Sequence, residues 1–143
     1  LIDRARYILE QCEYQRQGKH LELIVGGSDS VHVEHIIPQK IKTKNAKKEF
    51  GDWVEYLGSK SEALHPDYVG RIGNLTLFAG PLNIGASNNP YERKKAAYRD
   101  SAIKLTNSLI DEYPEFKFEH VDDRSAHLAQ LAVALWPTPE QLS

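Results

Sequence analysis

The stretch "VHVEHIIPQK", residues 31 to 40, decides how the rest of the chain is interpreted. Its apolar residues alternate with polar ones as in a β-strand, and it places His32, Glu34 and His35 shortly before Pro38. Neighbouring side chains of a regular strand point to opposite faces, so Glu34 and His35 can share a site only where the strand ends. Pro38 favours such an end, because proline cannot donate a hydrogen bond to a sheet. The stretch is therefore either the polar face of an exposed strand or the first half of a catalytic site.

Length and composition indicate one soluble domain. The chain has 143 residues, of which 41% are hydrophobic and 27% charged, as is typical of a globular protein. No apolar run is long enough to cross a bilayer, so no membrane association is expected. The single cysteine, Cys12, excludes an internal disulfide and a cysteine-based zinc site, and it fits a reducing compartment such as the cytoplasm. Because the chain opens with Leu1 and contains no Met, we expect it to be part of a longer protein.

Hydrophobic periodicity predicts helices around a small β element. Four helices are expected, over residues 2–16 and 44–57, from Pro90 to Leu109, and from Asp122 or Asp123 to Trp136. Strands are expected over residues 21–25, 31–36 and 74–80, and residues 64–73 are loop-like. The aromatic residues on apolar stripes are assigned to the core rather than to base stacking: Trp53, Tyr91, Tyr98 and Trp136. The predicted fold is a single helix-rich α+β domain spanning residues 1–143.

The charge distribution leaves two interpretations open. A net charge of −2 argues against a general nucleic-acid binder, but the charges are segregated. Residues 40–48, "KIKTKNAKK", hold five lysines and no acid, whereas acidic residues gather between positions 111 and 123. The lysine-rich stretch is either a solvated loop or a positive face for phosphate.

Two segments together resemble a known site. "EHIIPQ" at 34–39 is followed by "NLTLFAGPLNIGASN" at 74–88, in which Asn74 and Asn83 lie nine positions apart ahead of a predicted helix. This order resembles the ββα-metal site of the HNH endonuclease superfamily, in the variant where the last His is Asn, as in the HNH domains of RNA-guided DNA nucleases. Nearly the whole chain resembles the C-terminal HNH domain of GmrSD-type modification-dependent restriction proteins and of related phosphorothioate-sensing (Ssp-type) defence proteins. The motifs that carry this resemblance are "RYILEQCE", "VEHIIPQ", Trp53, "RIGNLTLFAGPLN", "SNNPYERKKAAYRDS" and "RSAHLAQLAVALWP".

The resemblance implies a role for each site residue within a ββα-metal core at about residues 31–100. His35 is the candidate general base, because an imidazole titrates at about pH 6.5 and can take a proton at neutral pH. Glu34 and Asn83 are the candidate ligands of Mg²⁺ (or Mn²⁺), which prefers oxygen donors. Asn74 is the fourth site residue and is expected to hold the His35 loop by hydrogen bonds. Each Asn is also a plausible turn or cap residue.

Candidate DNA contacts surround these residues: His32, Lys40, Lys42, Lys44, Arg71, Lys94 and Lys95. His32 is equally well explained as an exposed strand residue. Lys94 and Lys95 are assigned phosphate contacts by the resemblance, with a solvated helix face as the alternative, and Arg71 is undecided. Such contacts would be independent of DNA sequence and sensitive to salt.

The expected function is that of a divalent-metal-dependent DNA endonuclease domain that nicks DNA as the effector of a bacterial antiphage restriction system. The expected partners are DNA and an N-terminal region that senses modification or hydrolyses nucleotide. Two alternatives stay open. The chain could be a catalytically silent module that docks DNA or a partner domain, or a purely structural helical domain in which the motif is coincidental.

Overall fold

The computed structural model describes residues 2–17, 31–42, 53–79 and 90–136. Seven helices and two strands lie in these ranges. In chain order they are α1 (Ile2–Gln17), β1 (Val31–His35), α2 (Trp53–Leu57), α3 (Ser61–Tyr68), a 3₁₀ turn (Ile72–Asn74), β2 (Leu75–Ala79), α4 (Tyr91–Arg99), α5 (Lys104–Asn107), α6 (Leu109–Glu112) and α7 (Phe118–Leu135). The described part is therefore helix-rich with one small sheet, which confirms the predicted α+β class.

The two strands form an antiparallel pair that separates two hydrophobic clusters. Glu34 pairs with Thr76 and His35 with Leu75. Successive residues of β2 point to opposite faces, and both faces are covered. On one face, Leu77 belongs to a cluster that includes Leu9 of α1. On the other face, Phe78 belongs to a second cluster, where it lies edge-on to the ring of Tyr98 in α4 at 5.2 Å between centroids.

Helix α7 fixes the turn that leads into β2. The Arg124 guanidinium is buried and donates to the carbonyl oxygens of Gly73 (2.9 Å) and Leu75 (2.6 Å). The backbone of α7 passes close to Gly73. A Cβ atom at this position would overlap Val121 O and the Ser125 side chain. The close packing of α7 on the turn therefore requires glycine at this position.

Helix α1 caps the start of α5. The Glu13 carboxylate is 1% exposed and accepts hydrogen bonds from the backbone N–H groups of Lys104 (2.8 Å) and Leu105 (2.9 Å). A carboxylate at the first turn of a helix stabilises N–H groups that lack partners within the helix. None of the helices in the described ranges has the length and apolar character needed to cross a membrane.

Most predicted elements in the described ranges are confirmed, and two predictions about the helices are wrong. The chain over 64–73 is not loop-like, since α3 runs through Pro66 and the 3₁₀ turn follows. Tertiary contacts hold α3 despite the proline, among them Tyr68 against the ring of Phe118 at 4.8 Å. The long helix predicted from Pro90 to Leu109 is interrupted after Arg99, and α5 begins again at Lys104.

The interruption has a packing cause. Tyr98 belongs to one hydrophobic cluster, whereas Ile103 and Leu105 belong to the other, so one straight helix face could not serve both. The prediction that Trp136 lies in the core is also wrong. Its side chain is 44% exposed and packs on Tyr7 at 5.9 Å between ring centroids. The strand predicted at 21–25 and most of the helix predicted at 44–57 lie outside the described residues.

Candidate functional site

The site is built where β1 ends beside the 3₁₀ turn. Glu34 and His35 are the last two residues of β1, and His35 pairs with Leu75, the residue after Asn74. The structure thus brings three of the four predicted site residues to one end of the sheet. The fourth, Asn83, and the candidate DNA contact Lys44 lie outside the described residues.

Glu34 forms a buried ion pair with Lys94 of α4. The Lys94 Nζ lies 2.7 Å from Glu34 Oε1, and the two side chains are 0% and 4% exposed. The same ammonium donates to the backbone oxygen of His35 at 2.8 Å. The phosphate contact and the solvated position considered for Lys94 are therefore both incorrect for this structure, because its charge is directed inward. The sequence held a signal for this: Tyr91, Lys94 and Tyr98 follow at spacings of 3 and 4, on one helix face.

The surroundings of this pair are strongly desolvated. Burial raises the pKa of the Glu34 carboxyl, and the positive charge of Lys94 opposes that rise. Burial likewise lowers the pKa of Lys94, against the effect of Glu34. The hydroxyl of Tyr98 is close enough to Glu34 to lower the carboxyl pKa, yet it makes no hydrogen bond of normal geometry with any described residue. Burial raises the pKa of Tyr98 well above its usual value, so this phenol stays protonated.

His35 is half-buried at the end of β1. Burial lowers the pKa of its imidazole from 6.5, and the nearby charge of Lys94 lowers that pKa further. A neutral imidazole at neutral pH can accept a proton, which is what a general base requires.

Asn74 fixes the chain that follows His35. Its buried side chain accepts from Ile37 N–H (2.7 Å) and donates to Ile37 O (2.9 Å) and Val69 O (3.0 Å). Its backbone oxygen accepts from Ile36 N–H at 2.9 Å. The hydrogen bonds that the resemblance implied for Asn74 are thus present, and its part in catalysis stays a prediction.

A further residue supports the same segment. The Nε2 atom of His65, in α3, lies 2.8 Å from the carbonyl oxygen of Pro38. Nothing in the local pattern around His65 distinguishes it, because the contact joins residues 27 positions apart.

The candidate DNA contacts occupy different surroundings. His32 and Lys40 are exposed, and Lys42 lies 3.3 Å from Glu62 across the surface. Arg71 stacks on the ring of Tyr68 at 4.0 Å, and its Nη1 lies 2.6 Å from Asp122.

Lys95, next to the buried Lys94, is partly exposed. Its ammonium donates to the oxygen of Pro114 at 2.9 Å and pairs with Glu92. Among the surface candidates, Lys42, Arg71 and Lys95 therefore already have their charges engaged by acidic side chains.

Of the two candidate metal ligands, only Glu34 lies within the described ranges. No group of three or more His, Cys, Asp or Glu side chains lies close together within the described ranges. Glu34 offers a carboxylate, the donor type that a hard divalent cation prefers, although the Lys94 ammonium already contacts one of its oxygens. With Asn83 as an amide ligand, the donors would be oxygen atoms, which suit Mg²⁺ or Mn²⁺.

Comparison with known proteins identifies the family. No curated protein and no solved structure gives a significant match to the chain. The sequence model of the family described as "GmrSD restriction endonucleases, C-terminal domain" matches residues 1–131, nearly the whole length. The chain therefore belongs to the family of C-terminal domains of GmrSD restriction endonucleases.

Proposed function

We propose that this domain is a metal-dependent DNA endonuclease of the HNH type, which nicks one strand by hydrolysing a phosphodiester bond. The observation that carries the proposal is the position of His35, half-buried at the strand end and held there by Asn74 beside Glu34. The family supports a nuclease of a restriction system in general. We add to this family assignment the HNH type of the site, its dependence on a metal, and the nicking of one strand.

The chain's own residues would prepare the attacking water. His35 would take the proton from that water, because its lowered pKa keeps the imidazole neutral near pH 7. Asn74 would keep the imidazole in place by clamping Ile37 two residues on. A bound Mg²⁺ or Mn²⁺ held by Glu34 and Asn83 would supply Lewis-acid stabilisation of the leaving oxygen. Lys94 would hold Glu34 in position and contribute positive charge next to it.

DNA would be held by its backbone. His32, Lys40, Lys42, Lys44, Arg71 and Lys95 remain proposed contacts, whereas the buried Lys94 is removed from this group. Phosphate contacts of this kind give binding that weakens steeply with salt and does not read sequence. Target choice would then come from an N-terminal region of a longer antiphage protein that senses modification or hydrolyses nucleotide.

A supercoiled-plasmid assay with Mg²⁺ or Mn²⁺ tests the proposal. The parent domain should convert supercoiled plasmid to the nicked form, and His35→Ala should abolish this while binding DNA as well as the parent. Gln15→Ala, an exposed position on α1, serves as the control and should nick normally. Nicking by His35→Ala at the parental rate would show that His35 is not the base.

The second candidate function, a catalytically silent module that binds DNA or a partner domain, makes a different prediction. It is favoured by the buried pairing of Glu34 with Lys94, which occupies the proposed metal ligand. In that case none of the three proteins would nick plasmid under any metal condition, although all would bind DNA. Such a result would refute the nuclease proposal for this chain.

A further inference from the structure

A cavity of about 390 Å³ lies between α1, α5, α6 and α7, and none of its lining residues is a candidate nuclease residue. One wall is apolar and consists of Leu105, Leu128 and Leu131. The lining also includes two guanidinium groups, those of Arg16 and Arg124. Cavities that bind small molecules commonly measure about 300–1,000 Å³ and combine an apolar lining with a few polar groups, so this one has a suitable size and composition.

Arg124 is the unusual member of the lining. Its side chain is buried, and its Nη1 donates to the Gly73 and Leu75 carbonyl oxygens. Its Nη2 makes one long hydrogen bond, 3.5 Å to the oxygen of Leu105. These three hydrogen bonds use three of the five N–H groups of the guanidinium, so the others are left to contact a bound group.

Arg124 also lacks a direct ion pair in the described part of the chain, although the charge of Glu112 acts on it from a longer distance. Within the described ranges no carboxylate lies within ion-pair distance of its guanidinium, although burying an isolated charge is costly. Burial lowers its pKa to about 10, which still leaves it positive at neutral pH. A buried cation with free donors at a cavity wall is complementary to an anion.

The other charges of the lining offset the charge of Arg124 only in part, since Glu112 favours the Arg124 cation and Arg16 disfavours it. Glu112 is engaged by Arg16, whose Nη2 lies 2.5 Å from its carboxylate, while Arg16 Nη1 donates to Ser108 at 2.9 Å. The two guanidinium groups and the one carboxylate therefore leave an excess of one positive charge.

We propose that this cavity binds a small organic anion, whose phosphate or carboxylate group contacts Arg124 and whose apolar part packs against the three leucines. The site is distinct from the proposed nuclease site, and its existence does not depend on nuclease activity. A planar guanidinium matches both head groups, which is why the two are named together.

The experiment is a titration of the isotope-labelled protein followed by NMR, with phenyl phosphate and benzoate as probes. Each probe carries an anionic head and an apolar ring, and benzyl alcohol is the uncharged control. At least one anionic probe should saturate with a one-to-one profile and shift the signals of α7 residues around Arg124. Benzyl alcohol should bind at least about tenfold more weakly, since a hydrogen-bonded charge contact contributes about 1.5–3 kcal/mol.

Two variants locate the binding. Gln130→Glu places a negative charge at an exposed lining position and should weaken the anionic probe about fivefold, since like charges at about 4 Å in water repel by about 1 kcal/mol. Ala129→Glu adds the same charge at the neighbouring exposed position outside the lining and should change affinity less than about twofold, in line with the small effect of surface charge pairs. Leu131→Trp should fill the cavity and abolish saturation.

The outcomes decide the proposal. Saturable binding that Gln130→Glu weakens and Ala129→Glu leaves unchanged would support it. Failure of both anionic probes to saturate would overturn it, as would binding that Leu131→Trp leaves intact. Because every readout is binding to the metal-free protein, a failure here is distinguishable from a failure of the plasmid assay.

Discussion

The buried pair of Lys94 and Glu34 makes a sharp prediction about stability. Lys94→Met keeps the length of the side chain but removes the ammonium that lies 2.7 Å from the Glu34 carboxylate. The variant leaves a carboxylate that is 4% exposed without its counter-charge, and it leaves the His35 carbonyl without its donor. We expect the free energy of unfolding to fall by about 3–5 kcal/mol, the usual cost of removing one partner of a buried ion pair.

The size of this effect is measurable. A domain of this length loses about 2–4 °C of melting temperature per kcal/mol, so the expected decrease is about 6–20 °C. Urea unfolding followed by circular dichroism, in buffer with EDTA to remove divalent metal, would give the free energy directly. Lys95→Met is the matched control, because its ion pair with Glu92 lies at the surface and should contribute only about 0–1 kcal/mol.

A double variant distinguishes the interaction between Lys94 and Glu34 from the contacts that each side chain makes with other residues. Lys94→Met combined with Glu34→Met leaves neither charge buried, so it should be more stable than either single variant, since apolar replacements of buried ion pairs are often neutral or stabilising. If Lys94→Met and Lys95→Met unfold within about 1 kcal/mol of each other, the buried pair does not carry the energy assigned to it. Strictly additive single effects would contradict the assignment equally.

Three further predictions concern the strand end and the turn beside it. Asn74→Asp removes the two N–H donors directed at Ile37 O and Val69 O. We expect a loss of about 2–6 kcal/mol in urea unfolding, because buried groups left unpaired cost about 1–3 kcal/mol each. Gly73→Ala should destabilise by at least about 1–3 kcal/mol through overlap with α7, whereas Gly70→Ala, which meets nothing within 4 Å, should show no such loss in the same assay. The His35 imidazole should titrate below pH 6.5 by NMR. Since the unfolded chain then binds more protons than the folded one, stability should fall as the pH drops from 6.5 through the folded pKa, and a pKa at or above 6.5 would contradict this reasoning.

Local pattern was sufficient to predict the elements that position the site. Helix α1 and both strands could be predicted because the periodicity of their apolar residues is the direct cause of their burial. The hydrogen-bonding role of Asn74 could be expected from the resemblance, and the bonds are present.

Features that depend on distant residues could not be predicted in this way. The interruption after Arg99 follows from the division of the core into two clusters, which a single helical stripe does not show. The spacing of Lys94 to Tyr91 and Tyr98 puts it on the buried face of the helix. This signal was outweighed because lysine side chains are mostly exposed in folded proteins. The contact of His65 with Pro38 joins a helix, α3, to the segment that follows β1, and only folding brings these two parts of the chain together.

The hydrogen bonds between Arg124 and the turn limit where the domain can be truncated. Arg124 holds the carbonyls on both sides of Asn74, and Asn74 in turn holds Ile37. Every residue of the proposed ββα core lies before position 100, yet the backbone of that core is fastened by a helix that begins at Phe118. A fragment that ends at residue 100 would contain the whole proposed core but would lack Arg124, which holds the turn at Asn74. The folded unit that holds Asn74 and Ile37 in place therefore extends into the last helix, well beyond the proposed ββα core.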